Sequence, residues 1–396
     1  MNAATVLLLV LSAAWLGYLV VERMRMDRHR RAIPLRIAVT GTRGKTSVAR
    51  LLASVLREDG RTILAKTTGS EARYVLPDGS EEEVLRLGAP SIIEQKRLLA
   101  RGARLGVDAV VAEIMSVHAE NHQVEAQRML RPQLVLVTNF RVDHVEAQGM
   151  TREEVASVLA LDVPPGSRAL VPEQEWEERF AGLVEANGGE VVGVPDGVAG
   201  PPREGGEFAR NLDLVWEAAR FLGVTDDVIR NGMRRSVGDL GALQAWRYPR
   251  EEAGAQWIVV NAFAANDPES TLRIYDRVMA REGMGPERCV GLLALRPDRG
   301  DRTLLWLEAL RAGALDRFRR LFVMGLHAPA LKHRVRGHPQ AARIEILSPT
   351  HPSGLMDRIL DEEGDQGGIL FGFGNIGGLG ETLVRHWRRV GDAHGI

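Results

Sequence analysis

The sequence predicts an α/β protein: a phosphate-loop domain, then a smaller Rossmann-like α/β domain, preceded by an N-terminal transmembrane helix. Three observations predict it. Residues 3–21 carry no charge and are dominated by Leu, Val and Ala. The segment Gly41-Thr42-Arg43-Gly44-Lys45-Thr46 stands between a short apolar run and an amphipathic one. Beyond it, short apolar runs alternate with helical patterns, the order of a parallel sheet covered by helices. A chain of 396 residues exceeds one ordinary core. The organisation reads as an anchor over 1–22, a basic linker over 23–34, a nucleotide-binding domain over 35–254 and a C-terminal domain over 255–396.

Composition narrows the function class. An apolar share of 45% and a charged share of 26% are those of a globular protein. The formal net charge of −1 lacks the basic excess of a nucleic-acid binder. A single cysteine, Cys289, excludes an internal disulfide framework and a cysteine-rich metal site. Lysine occurs four times, at Lys45, Lys66, Lys96 and Lys332, so few side chains are available for lysine chemistry.

Nineteen helical residues over 3–21 span roughly 28 Å, close to the hydrocarbon thickness of a bilayer. Trp15 and Tyr18 fall toward the headgroup end, and Arg23, Arg25, Arg28, Arg30 and Arg31 follow. By the positive-inside rule the body then lies in the cytoplasm, as a single-pass protein of the cell membrane. A cleaved signal peptide would carry its positive charge ahead of the apolar run, and Met1 to Thr5 has no basic side chain.

Leu35-Arg36-Ile37-Ala38-Val39-Thr40 reads as a buried strand, and residues 47–59 as a helix with apolar positions at Val48, Leu51, Leu52, Val55 and Leu56. Strand, glycine turn and helix form the context of a phosphate loop. Glycines let backbone N–H groups face phosphates, and the helix N-terminus adds partial positive charge. Lys45 is placed to reach the β and γ phosphates of ATP, and the Thr46 hydroxyl to hold Mg²⁺. A second apolar strand over 107–112 ends in Glu113. A third, over 134–138, ends in Asn139-Phe140-Arg141-Val142-Asp143-His144. Ligands gather at the carboxyl ends of parallel strands, so Lys45, Glu113 and the Asp143-His144 pair are expected on one crevice. Glu113 suits a hard cation, and His144 a second metal position.

The motif T-G-T-R-G-K-T-S, a Glu after a strand, and T-N-F-R-V-D-H together resemble the Mur ligase superfamily, which includes the peptidoglycan amino-acid ligases and folylpolyglutamate synthase. Three features favour the branch of membrane-associated ligase subunits of poly-γ-glutamate synthases. They are the anchor, the run Ala65-Lys66-Thr67-Thr68-Gly69-Ser70, and Val260-Asn261-Ala262-Phe263-Ala264-Ala265-Asn266-Asp267-Pro268-Glu269-Ser270.

The resemblance implies an acyl phosphate made from ATP and a carboxylate, then attack by an amine to give an amide. It assigns Gly41, Thr42, Arg43, Gly44, Lys45, Thr46 and Ser47, with Asn139, Asn261 and Asn266, to the nucleotide. Lys45, Glu113 and His144 become the catalytic set, and Thr46, Glu113 and His144 the metal set. It further implies glutamate and a poly-γ-glutamate chain end as substrates, small membrane partner subunits that handle export, no nucleic acid, and leaves homo-oligomerisation open. The alternatives are a folylpolyglutamate synthase-like ligase and a phosphate-loop ATPase that energises a membrane assembly. Where the family commonly has an Asp for the ribose, this chain has Asn261, and the usual Gly-Arg before the last domain is replaced by Gly241-Ala242. Muramyl substrates are usually recognised by a separate N-terminal domain, and only the anchor and linker stand before Leu35.

Residues 73–93 are polar and turn-rich, with Pro77-Asp78-Gly79 as a hairpin turn. There Lys66, Arg73 and Arg86 are expected to meet the carboxylates of an acceptor. In the C-terminal part, strands over 290–295, 321–325, 343–347 and 368–373 alternate with helices over 268–281, 301–312 and 355–363. Gly372-Phe373-Gly374-Asn375-Ile376-Gly377 matches G-x-G-x-x-G, and a tight packing turn is the favoured reading over a second dinucleotide site.

Several Mur ligases carry a carbamylated lysine a little past the D-H pair, and this chain has no lysine between His144 and Lys332. Turnover is therefore expected to be independent of bicarbonate. Reversible loss of activity in carbon-dioxide-free buffer, restored by bicarbonate, would count against this.

Overall fold

The computed structural model describes residues 2–69, 72–86, 88–200, 207–236, 243–249, 256–265, 267–297, 300–339, 341–347, 351–363 and 367–395. The chain divides into two compact units, Met1–Val237 and Gly238–Ile396. The boundary expected over 250–255 falls outside the described residues, as does the Gly241-Ala242 pair.

Unit 1 opens with helix α1 (Ala3–Arg31). There follow β1 (Leu35–Thr40), α2 (Lys45–Glu58), β2 (Ile63–Thr67), β3 (Arg73–Val75), β4 (Glu81–Glu83), α3 (Glu94–Leu105) and β5 (Ala109–Glu113). Next are α4 (Ala119–His122), continued by a π-helical stretch Gln123–Leu130, then β6 (Leu134–Val137), α5 (Val145–Gln148), α6 (Arg152–Leu159), β7 (Arg168–Pro172), α7 (Glu178–Ala186), β8 (Glu190–Val194), α8 (Glu207–Phe221) and α9 (Asp226–Arg235). The sheet order is β4-β3-β2-β5-β1-β6-β7-β8. The strands from β2 to β8 along this order are parallel, and β3 and β4 fold back as the expected hairpin. Gly79 closes its turn by donating its N–H to Leu76 O (2.9 Å).

Side chains alternate across each strand, so β1 serves two cores. Ala38 joins Leu98 and Leu99 of α3 and Val155 and Leu159 of α6 on one face. Ile37 and Val39 join Val48, Leu52 and Val55 of α2 and Leu214 and Val215 of α8 on the other. Sequence order reverses on either side of β1, which makes its carboxyl end the place where a ligand crevice opens. Register brings Val39 level with Glu113 and Thr40 level with Val137.

Unit 2 comprises β9 (Gln244–Tyr248), β10 (Trp257–Ala262), α10 (Pro268–Glu282), β11 (Cys289–Ala294), α11 (Gly300–Arg311), β12 (Arg320–Met324) and α12 (Ala328–Arg334). It closes with β13 (Ile344–Leu347), α13 (Pro352–Glu363), β14 (Gly368–Gly374), α14 (Leu379–Val390) and β15 (Asp392–His394). The order is β13-β12-β11-β14-β10-β9-β15, parallel except for β9 and β15. Its core is aromatic: Phe318 stacks on Phe373 at 5.2 Å, and Phe263 on Trp387 at 5.9 Å. Asp267 caps α10 by accepting the Ser270 N–H (2.7 Å), with Pro268 in the first turn.

The glycines of the G-x-G-x-x-G segment fit this packing. A Cβ on Gly372 would lie 2.5 Å from the Phe263 ring, one on Gly374 (φ +102°) 2.5 Å from Ala294 O, and one on Gly377 2.5 Å from the Arg296 guanidinium. Gly372→Val is therefore expected to cost on the order of 1–3 kcal/mol by overpacking. The readout is thermal denaturation of the full chain, and an unchanged midpoint would contradict the close packing at this strand.

Candidate active site

The loop after β1 is built so that phosphates can approach its backbone. Gly41 has φ +120°, and a Cβ there would lie 2.1 Å from Thr138 Oγ1; Gly44 has φ +82° and opens α2 against Asn211, whose Nδ2 would be 2.6 Å from a Cβ. Both positions therefore require glycine. Asn139, one residue past Thr138, braces the loop from the side. Its Oδ1 accepts from the Thr42 hydroxyl (2.5 Å) and the Arg43 N–H (3.3 Å), and its Nδ2 donates to Arg43 O (3.0 Å). The Thr138 hydroxyl donates to the same carbonyl (2.5 Å). Lys45 starts α2, and its Nζ donates to Gly41 O (2.7 Å), so its ammonium lies over the loop. Arg43 meets Asp143 at 3.4 Å.

Glu113 ends β5 and is buried. Its Oε2 accepts from Thr46 Oγ1 (2.9 Å) and from the Thr68 N–H (2.7 Å). A hydroxyl and a carboxylate at the head of a phosphate loop form the hard oxygen donor set that a Mg²⁺-like cation takes, with the rest supplied by phosphate oxygens and water. The residues present fit such an ion. His144 has φ +48°, is exposed, and donates its backbone N–H to Asp143 Oδ1 (2.9 Å). Among the described residues no three His, Cys, Asp or Glu side chains gather around one point. Of the groups expected on one crevice, Lys45 lies over the loop, Glu113 meets Thr46 at the loop's end, and Asp143 reaches the loop through Arg43.

The structure differs from the sequence expectation at Lys66 and Arg86. Lys66 lies on β2 between β3 and β5 and is fully buried; its Nζ pairs with Glu94 at 3.0 Å. Arg86 makes two bonds to the same carboxylate, at 2.7 and 3.1 Å. Both basic groups meet a carboxylate, but it is the protein's own. Burial pushes Glu94 up, and the bonds from Arg86 and Lys66 outweigh it and hold the carboxyl below the usual glutamate range. Arg73 remains half-buried on β3. Asn261 is buried in β10 of unit 2, where its Oδ1 accepts the Phe263 N–H (3.3 Å). Asn266 lies outside the described residues.

Sequence reading missed a buried polar layer behind this edge. Gln95 Nε2 donates to Glu113 O (3.1 Å) and to Glu125 Oε1 (2.6 Å); Glu125 also accepts the N–H groups of Met115 (3.1 Å) and Ser116 (3.0 Å). Burial pushes the Glu125 carboxyl up against these bonds. His122 Nδ1 meets Asp162 at 2.9 Å, and Asp162 Oδ2 accepts from Thr40 Oγ1 (2.5 Å), one residue before the loop. Burial lowers the affinity of His122 for its proton, but the Asp162 carboxylate outweighs burial and raises it. Acidic residues inside a helical apolar pattern, as at Glu125, were the available signal.

Lys45→Ala is expected to lower turnover by on the order of 10²–10³-fold or more, the scale of losing one group aimed at developing charge, with an unchanged circular-dichroism spectrum. Glu113→Gln should raise the divalent-cation concentration needed for half-maximal rate. Near-normal ligation by a folded Lys45→Ala protein, or an unshifted cation requirement in Glu113→Gln, contradicts these roles.

Residues 39–192 match the Mur ligase middle domain, and residues 247–390 match the poly-gamma-glutamate synthase CapB C-terminal domain. The chain is 28% identical over 383 residues to the capsule biosynthesis protein CapB of Bacillus anthracis, covering 93% of this chain and 79% of that protein. It is 26% identical over 393 residues to the PGA synthase CapB of Bacillus subtilis, covering 96% of each. In fold it resembles the bifunctional folylpolyglutamate synthase/dihydrofolate synthase of Yersinia pestis complexed with AMPPNP and Mn ion, with a TM-score of 0.64, 14% identity, and 95% and 97% of the two chains covered. The Mur ligase middle-domain match and the CapB C-terminal match fall on the two units in turn, and the chain is an ATP-dependent amide ligase.

Proposed function

We propose that this ligase extends poly-γ-glutamate. A glutamate γ-carboxylate takes the γ-phosphate of ATP to give an acyl phosphate and ADP. The amino group of another glutamate then attacks the acyl carbon, the C–O bond to phosphate breaks, and an amide and inorganic phosphate result. The observation that carries the polymer reading is the match, over more than nine-tenths of this chain, to two proteins named for capsule biosynthesis and PGA synthesis.

This chain's own groups do positioning and charge neutralisation, the larger part of what phosphoryl transfer needs. The loop from Gly41 to Thr46 and the first turn of α2 receive the phosphates, and Lys45 neutralises them. Thr46 and Glu113 would hold Mg²⁺, which supplies positive charge to the phosphate oxygens when bound. His144 is retained as a further metal candidate, and Arg73 as the candidate for the acceptor's carboxylates. Residues 3–21 are read as a membrane anchor that keeps the catalytic body in the cytoplasm beside small partner subunits for export. The helix is long and apolar enough to span, and its most apolar window is wholly unburied.

A folate reading has the likeness of fold in its favour. A pterin, however, is usually held by an apolar, aromatic-lined pocket, and aromatics make up 5% of this chain. The test is substrate-dependent release of phosphate from ATP, with glutamate, poly-γ-glutamate, folate and muramyl precursors compared side by side. Stimulation is expected with glutamate and its polymer. Stimulation by a folate or muramyl substrate, with none by glutamate or polymer, would overturn the assignment and leave the general ligase chemistry standing.

A further inference from the structure

Helix α1 runs from its apolar segment into the body of unit 1 without a break, and two sets of contacts fix its direction. At the upper set, Glu22, the first residue past the apolar run, pairs with Lys96 at 2.6 Å. Lys96 adjoins Gln95, whose Nε2 donates to the carbonyl of Glu113 at the carboxyl end of β5. At the lower set, Arg30 donates to Arg128 O (2.9 Å) and Met129 O (3.2 Å), at the end of the helix that descends from β5. Arg36, at the start of β1, donates to Arg30 O (3.1 Å) and Ile33 O (2.8 Å). Helix α1 is therefore antiparallel to β1, with its apolar end on the side of the strands' carboxyl ends.

The lengths agree. Ten helical residues from Glu22 to Arg31 descend about 15 Å, and the six residues of β1 climb back about 20 Å. The phosphate loop returns to the level of Glu22.

Outside α1, the three most exposed large apolar side chains among the described residues of unit 1 follow the same polarity. The exposed Leu105 (49%) and Phe221 (46%) on the other edge rank below them. Leu85 (78% exposed) and Ile93 (52%) lie in the segment between β4 and α3, and Met150 (79%) in the segment after β6. All three are on the carboxyl side of the sheet. Leu105 and Phe221 end helices α3 and α8 on the opposite side.

We propose that unit 1 is held with the carboxyl edge of its sheet toward the lipid headgroups. The phosphate loop and Glu113 then work beside the bilayer, with Leu85, Ile93 and Met150 against its surface. The occupant is the membrane that receives α1, since the surface continues the span and the docked end of α1 leaves no flexible joint between them. This rests on reading residues 3–21 as a membrane anchor. A product released at this edge emerges next to the lipid, where an export step can take it.

The test uses the full chain in phosphatidylcholine–phosphatidylglycerol vesicles. Cys289 is buried and stays unlabelled. A fluorophore is attached in turn to Leu85→Cys, Ile93→Cys and Met150→Cys, and to Leu105→Cys and Phe221→Cys on the opposite edge. Lipid carrying a nitroxide on its headgroup is the quencher. Loss of fluorescence is expected for the first three and not for the last two. Leu11→Cys, probed with nitroxide on the acyl chain, reports insertion independently. Quenching at Leu11 with silence at Leu85 and Ile93, or equal loss on both edges, overturns the orientation and leaves the anchor standing. No quenching at Leu11 overturns the anchor and the orientation together.

Discussion

The carboxylate of Glu113 is buried at the end of a central strand, where an unpaired charge would cost several kcal/mol. Its Oε2 accepts one bond from the phosphate-loop threonine and one from the backbone after β2. Those two bonds tie three neighbouring strand ends to one oxygen. Other features of the candidate site follow from that constraint. Thr46 must start a helix close to β5, so the turn before it must be tight, and the turn is tight because Gly41 and Gly44 take positive φ. A metal at this carboxylate would have a preset distance to the loop.

Holding Glu113 in place is the work of a second tier of polar groups. Gln95 joins β5 to Glu125 through its two amide hydrogens, and Glu94, one residue earlier, gathers Lys66 and Arg86. On the far side of β1, His122 and Asp162 reach Thr40. Such networks add little net stability when compared with an apolar core, but breaking one member leaves others buried and unpaired. They fix geometry more than they lower energy. The π-helical stretch Gln123–Leu130 leaves this tier and carries Glu125 inward, an irregularity of the kind found at functional sites.

Unit 2 solves a different packing problem. Its central strands bury Phe371, Phe373, Trp257 and Phe322, so helices and strands approach through rings, and glycines appear where rings need room. In the G-x-G-x-x-G segment Gly372 makes room for the Phe263 and Trp387 rings, Gly374 passes close to the Ala294 backbone, and Gly377 passes close to the Arg296 guanidinium.

The sequence by itself determined much of this protein. The apolar run at 3–21, the strand, glycine loop and helix from Leu35 onward, and the alternation of strands and helices are local patterns, written in residues that are neighbours in the chain. Lys45, Thr46 and Glu113 were legible because each stands at a fixed place relative to such a pattern. The tertiary structure alone decided what the charged side chains near that edge meet. Lys66 and Arg86 looked like ligands for a substrate's carboxylates, yet both meet Glu94, which is 28 residues from Lys66 in sequence and 3.0 Å away in space. His122 and Asp162, 40 residues apart, form a pair that no periodicity announces. The physical reason is that hydrophobic spacing is a one-dimensional signal set by backbone geometry. A buried ion pair depends on two distant segments being brought together by the register of the sheet and the helices packed on it.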